Sequence, residues 1–200
     1  MSEKLTARGQ ATRDRIVTAA AQLMFERGVA GTSTPDVRDA AGVSSSQIYH
    51  YFADKNALTM AVIEALSTFV LDRQRELLRD LTSVDGLRDW RDFIVRLQRD
   101  SGCQGGCPLG SLSSELADHD PIARKALADG FDQWQLTIRD GLRNLVDRGV
   151  LRPDTDPEYL SQAFMAALQG GLLLTQAQHS TVALEAGLTA MIERVETHRT

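Results

Sequence analysis

The sequence is poor in cysteine, with only Cys103 and Cys107 among its 200 residues. Two thiols cannot build a disulfide framework, which excludes the small stapled secreted domains and suits a reducing cytoplasm. Long apolar runs are also missing. No window approaches the roughly 18 consecutive apolar residues of a membrane span, and Met1 to Gln10 lacks the apolar run of a signal peptide. Positive charge is not in excess. Lys and Arg number 22 against 27 Asp and Glu, a net charge of -5, which argues against a protein that binds nucleic acid over its whole surface. Strand-like alternation is absent, and no repeat period emerges. What the chain does have is apolar residues recurring at three and four positions, in segments punctuated by Gly and Pro. That pattern predicts an all-α protein of about nine helices.

Charge is unevenly spread. Residues 1–52 hold six basic residues (Lys4, Arg8, Arg13, Arg15, Arg27, Arg38) against five acidic ones, so nearly all the negative charge lies in the remainder. A weakly basic end on an acidic body can bind DNA if its basic groups face one way. Residues 1–10 read as a polar arm, in which Lys4 and Arg8 are available to phosphate. A first helix is expected from about Thr12 to Arg27, stopped by Gly28. A long fourth helix, capped by Asp54, is expected from Lys55 to about Leu81, with Leu58, Val62, Leu66, Phe69, Leu77 and Leu78 on its apolar stripe. Further helices follow: one bearing Leu87, Trp90, Phe93, Ile94 and Leu97; a short one over 111–117; one from Pro121 to about Arg148, with Ile122 on its stripe; one opened by Asp156-Pro157; and a last one over 181–198.

The most informative stretch is Thr32 to Lys55, TSTPDVRDAAGVSSSQIYHYFADK. Ser33 and Asp36 have capping-box spacing, and Pro35 sits where a missing N–H costs nothing. Val37, Ala40 and Ala41 make one apolar face, and Gly42 ends the helix. Val43 falls in the turn, and Ser44 can cap a second short helix. Two short helices joined through a Gly fit a helix-turn-helix. The second of them offers Ser45, Ser46, Gln47, Tyr49 and His50, all hydrogen-bonding and none acidic. A helix in the major groove needs such short donors and acceptors on its leading turn. Gln47 can pair with adenine edges, Ser45 or Ser46 with either base type, Tyr49 and Lys55 with phosphate, and His50 with phosphate or a base.

The pattern TxxxxVxxAAGVSxxxIYxYFxxKxxL resembles the DNA-binding domain of the tetracycline-repressor (TetR) family over about residues 12–58. Arg38 stands where that family usually has a small Ala, and Ser46 where it often has Gly; a helix tolerates both. The resemblance implies that Thr32, Ser33, Ser44 and Tyr49 belong to a phosphate-binding set. It implies a three-helix DNA-binding domain over 1–54, and a helical ligand-binding and dimerisation domain over 55–200. An effector pocket among helices four to eight follows by the same resemblance. Candidates on apolar faces are Phe69, Trp90, Phe93, Leu112, Phe131, Trp134 and Ile138, with Gln135 and Gln169 as polar tuning residues. GCPLGSLSSELAD is also similar to a subgroup of these regulators that respond to small, often aromatic or xenobiotic compounds.

One reading helix covers too few bases for useful specificity, so such proteins bind palindromes as dimers. The eighth and ninth helices carry more apolar surface than a two-layer monomer needs. Leu160, Phe164, Ala167, Gly170, Gly171, Leu188, Met191, Ile192 and Val195 are therefore expected at a four-helix dimer interface.

Other chemistry is weakly signalled. Cys103 and Cys107 flank Gly105-Gly106 and would form a redox switch only if that loop folds back; the spacing is neither a thioredoxin motif nor, without nearby His, a zinc site. Asp118-His119-Asp120 immediately precedes Pro121 and reads as a helix-capping turn. No nucleophile, base and orienting group assemble. The expectation is a cytoplasmic homodimeric regulator, most simply a repressor, that binds double-stranded operator DNA and a small-molecule effector, without cofactor, metal or membrane. The alternatives are a redox or electrophile sensor acting through Cys107, and a helical enzyme or carrier with a vestigial DNA-binding end.

Overall fold

A computed structural model describes residues 5–200. These residues form nine helices: α1 (Ala7–Arg27), α2 (Thr34–Ala41), α3 (Ser45–Tyr51), α4 (Lys55–Leu78), α5 (Asp85–Asp100), α6 (Pro108–Leu116), α7 (Pro121–Asp147), α8 (Pro157–Gln178) and α9 (Val182–Glu196). The expectation of an all-helical chain holds, apart from one isolated antiparallel bridge between Leu151 and Arg199. The helix α1 begins five residues earlier than the apolar stripe suggests. Thr6 caps it by accepting the N–H of Gly9, so Arg8 lies on a helix and not in a free arm. Lys4 lies outside the described residues.

The chain divides into two compact units, the first comprising Met1–Thr68 with Ser111–Leu127. This unit reaches beyond residue 54: α4 as far as Thr68 belongs to it, as do the end of α6 and the start of α7. The reason is apolar burial: Leu58, Ala61, Val62 and Ile63 of α4 are buried, as are Ile16, Ala20 and Met24 of α1, Val37 of α2, Ile48 of α3, and Leu112, Ala123 and Leu127. Within this unit α1 packs on α2, and α2 on α3. Ala40 and Ile122, expected on apolar faces, are exposed. Asp120 caps α7 by accepting the N–H groups of Ile122 and Ala123, as its position before Pro121 suggests.

The second unit comprises Phe69–Gly110 and Ala128–Thr200. Its core holds Trp90, Phe164, Leu142, Leu168, Leu188 and Ile192. Trp90 stands edge-on to Phe164 with ring centroids 5.9 Å apart, and its indole N–H donates to the buried Gln74 Oε1. The α8–α9 pair packs most extensively, with α5 against α9. Arg88 and Arg99 of α5 reach Glu196 and Glu185 of α9.

Two expectations about this unit are corrected. Phe69 is not in an apolar stripe but 74% exposed. The buried positions of this part of α4 are Leu71, Gln74 and Leu78, at helical spacing. Phe69 lies two residues before Leu71, about 200° round the helix from it. Leu97 of α5 is likewise exposed, because Ile94, Val95 and Gln98 occupy the buried face.

Close approach of α8 and α9 depends on Gly171. A Cβ there would sit 2.7 Å from Leu184 Cα, a backbone atom that cannot swing away. Gly171→Ala is expected to destabilise the protein by about 1–3 kcal/mol through overpacking. Urea unfolding checks this, and an unchanged midpoint would show that the two helices separate without penalty.

Candidate nucleic-acid interface

The helix-turn-helix is built from satisfied helix ends. At α2, Ser33 Oγ accepts the Asp36 N–H while the Asp36 carboxylate accepts the Ser33 N–H at 2.9 Å. The hydroxyl and N–H of Ser33 hold the Asp36 carboxyl below the usual carboxylate range. The folded value being lowered, this contribution is present above the unfolded pKa near 4 and is lost as pH falls through the lowered value. Gly42 closes α2 in the left-handed conformation, at φ 61° and ψ 44°. A second box opens α3: Ser44 Oγ accepts the Gln47 N–H at 3.2 Å, and Gln47 Oε1 accepts the Ser44 N–H at 2.8 Å. Asp54 then caps α4 by accepting the Ala57 N–H at 2.7 Å.

This framework leaves Ser45, Ser46, Gln47, Tyr49 and His50 exposed together on α3, with Ile48 buried beneath them. Ser44 is exposed as well, its hydroxyl 2.9 Å from that of Ser46. Lys55 begins α4, and its residue is half-buried. Two expected roles change. Thr32 is only 1% exposed, and its hydroxyl donates to Gly28 O at 2.8 Å, so it closes the α1–α2 loop from within the fold. Gln47 commits its carbonyl to the cap. Its NH₂ has no such engagement, and paired recognition of adenine would require the carbonyl to share itself between the cap and adenine N6.

Three supporting residues have roles that the sequence pattern does not assign. Arg15 Nε donates to Ala41 O at 3.0 Å and pins the end of α2 to α1. The Arg13 guanidinium lies over the Phe52 ring at 5.4 Å. Glu115 of α6 accepts the N–H groups of Val29 and Ala30. All three contacts join residues far apart in the sequence, so no local spacing announces them.

In the second unit, the residues expected at an effector site are not gathered in one groove. Trp90 and Ile138 are fully buried, and Phe93 lies beneath the Arg73 guanidinium at 5.2 Å. Gln135 donates to Glu158 and Ser161. Phe131 is half-buried, as is Gln169, which sits beside Gly110 and Cys107. Trp134 is buried, and its Nε1–H lacks a hydrogen-bond partner. Leu112 is buried in the first unit. A groove of 510 Å³ in the second unit is instead lined by α4 and α7 residues such as Asp72, Arg75, Glu76 and Asp140, and none of the expected effector residues lines it.

The dimer residues need a similar correction. Leu160, Phe164, Gly171, Leu188, Ile192 and Val195 are buried within the protomer, where they close its own core. Ala167 and Met191 are half-buried. Gly170 is exposed, and a Cβ added there would meet nothing within 4 Å. Neither cysteine is in a disulfide, and both are buried. Burial pushes the Cys107 thiol up, against the opposing N–H groups of Gly110 and Leu109, so reactive thiolate is scarce at neutral pH.

A pair of capped short helices exposing uncharged hydrogen-bonding groups, within an all-helical chain, defines a helix-turn-helix DNA-binding regulator. Residues 16–62 match the family model for bacterial regulatory proteins of the tetR family, and residues 83–191 match that of the tetracyclin repressor-like C-terminal domain. An HTH-type transcriptional regulator of Lactococcus lactis subsp. lactis, described as in the lacX 3′ region, is 32% identical, over 87% of this chain and 88% of its own. The HTH-type transcriptional repressor DhaR of Mycobacterium sp. (strain GP1) is 27% identical over 90% of each chain. A TetR transcriptional regulator of Chloroflexus aurantiacus J-10-FL has a crystal structure that superposes with a TM-score of 0.84 at 27% identity, covering 97% of this chain and 98% of its own. The chain belongs to the TetR family of transcriptional regulators. It is a regulator and not an enzyme, which removes the alternative of a helical enzyme with a vestigial DNA-binding end. Among the described residues no helix is long and apolar enough to cross a membrane.

Two outcomes test the interface. Gln47→Ala is expected to cost about 1–3 kcal/mol on the preferred operator, at one position per half-site. Because the Gln47 carbonyl is engaged at the cap and its NH₂ is not, that position should favour guanine or thymine over adenine or cytosine; a base-substituted operator series showing adenine best would place its carbonyl on DNA. Lys55→Ala should weaken binding to all duplexes about equally and lower the salt slope by roughly one unit. A salt titration with an unchanged slope would remove Lys55 from the phosphate contacts.

Proposed function

We propose that the protein is a homodimeric repressor that reads a two-fold operator with α3 and leaves it when a small apolar or aromatic effector binds. The observation that carries the dimer is a face of α8 and α9 not used by the protomer's core. Tyr159, Ala166, Gly170, Leu173 and Ala177 recur along exposed α8 at helical spacing, with Leu174 beside them, and Val182, Ala186 and Ala190 do so on α9. Leu173 is 65% exposed and Val182 71%. Large exposed apolar side chains in register on adjoining helices are what a four-helix interface between two copies would cover. The core residues expected at that interface lie on the opposite faces of the same helices.

Repression as the outcome is supported by the relative DhaR, whose name describes it as a transcriptional repressor. An effector is supported by Trp134, a 4% exposed indole whose N–H has no hydrogen-bond partner. An unpaired buried donor is costly, and a ligand that offers it an acceptor relieves that cost. Release from DNA then requires the effector to bind the operator-free conformation more tightly. The coupling is reciprocal, so operator must weaken effector binding by the same factor.

Leu173→Asp tests the dimer. The variant is expected to sediment as a monomer and to bind operator at least about a hundredfold more weakly, since a single α3 then reads one half-site. A variant that keeps the wild-type sedimentation coefficient and affinity would contradict the proposed face.

A further inference from the structure

The loop joining α1 to α2 is held from α6, by a residue that no motif of the DNA-binding segment contains. Glu115 lies near the end of α6. Its Oε2 accepts the Val29 N–H at 2.8 Å and its Oε1 the Ala30 N–H at 2.7 Å. Gly28 makes room for this approach: it has φ +74°, and a Cβ there would stand 3.1 Å from Glu115 Oε2. The other side of the loop is tied by Thr32, whose hydroxyl donates to Gly28 O and whose N–H donates to Val29 O at 3.2 Å. Ser33, the next residue, caps α2. The loop's two leading amides therefore depend on a carboxylate 85 and 86 residues away.

We propose that Glu115 is a positioning residue for operator recognition: its carboxylate fixes the entry of the chain into α2, and through α2 the angle at which α3 meets the groove. The physical chemistry favours this role. Two consecutive backbone N–H groups just beyond the end of α1 have no helical partner, and an ionised carboxylate is the strongest acceptor a side chain can offer them. The bidentate geometry restrains direction as well as distance. A glutamine in its place has one acceptor oxygen, and its NH₂ would face the second N–H donor to donor. Loosening the loop would broaden the orientations of α2 and α3 without removing any group that touches DNA. Phosphate contacts tolerate such a spread, but base contacts depend on register and orientation. A shift or rotation of α6 would carry the carboxylate with it, so the clasp also gives α6 a direct hold on operator affinity.

The experiment compares full-length wild type with Glu115→Gln and Glu115→Ala on an operator duplex selected by the wild type and on a scrambled duplex of equal length. Both variants are expected to lose about tenfold or more on the operator, the usual scale for a charge-assisted hydrogen bond. Affinity for the scrambled duplex and the salt slope should stay within about twofold. Glu115→Asp, which keeps the charge on a shorter arm, should recover part of the loss. A uniform loss on both duplexes would make Glu115 merely structural, and an unchanged operator affinity would remove the role altogether; either overturns the proposal. If a variant does not fold, native hydrogen exchange on wild type decides. Ala30 is exposed, so protection of its N–H reports the clasp. Exchange at least about tenfold slower than in a free peptide is expected, and exchange at the free-peptide rate would show that the clasp does not form.

Discussion

The first unit rests on one constraint: a short helix cannot satisfy the amides at its own beginning. Helices of eight and seven residues are marginal by themselves, because nucleation is costly and few hydrogen bonds repay it. Here side chains supply the missing acceptors at each entry into the reading motif. Thr6 serves α1, Ser33 with Asp36 serves α2, Ser44 with Gln47 serves α3, and Asp54 serves α4. Between α1 and α2, where no local residue does so, Glu115 reaches in from α6. The motif thus consists of helices held in orientation by their ends, with Val37, Ala41 and Ile48 anchoring them from below.

Hydrogen-bond partners also separate groups available to DNA from groups that are not. Thr32 and the Gln47 carbonyl have intramolecular partners, whereas Tyr49 and His50 stand exposed. In the second unit the division is by face. The inner faces of α8 and α9 close around Leu160, Phe164, Leu188 and Ile192, and the outer faces keep Leu173 and Val182 in solvent. Burial and exposure on one helix answer two different demands, a protomer core and the surface proposed above for a second copy.

Much of this was legible in the sequence, because it is local. Capping boxes have fixed spacings, Gly42 marks a left-handed stop, and Asp120 and Asp156 precede prolines at helix starts. The all-helical class and most helix boundaries follow from such signals. What was not legible depends on phase or on distant contacts. Phe69 belongs to an apolar run, yet only the neighbours of α4 decide which side is covered. Leu160 and Val195 are apolar at helical spacing whether they face the protomer's own core or a partner, so the sequence alone does not tell an inner stripe from an outer one. Glu115 lies within GCPLGSLSSELAD, yet nothing local assigns it a role, because its partners are backbone amides that any sequence would present. The reach of Gln47 back to Ser44 was within the legible part, since S-x-x-Q is itself a capping-box spacing.

If α3 reads DNA as one of a symmetric pair, the symmetry must appear in the DNA that the protein chooses. Selection of bound duplexes from a random pool by the full-length protein reads this out. A palindromic motif is expected, with half-site centres separated by about 10–10.5 base pairs or a multiple of that, as two-fold related reading helices require. A single unsymmetrical half-site, or no enriched motif at low salt, would contradict the paired reading.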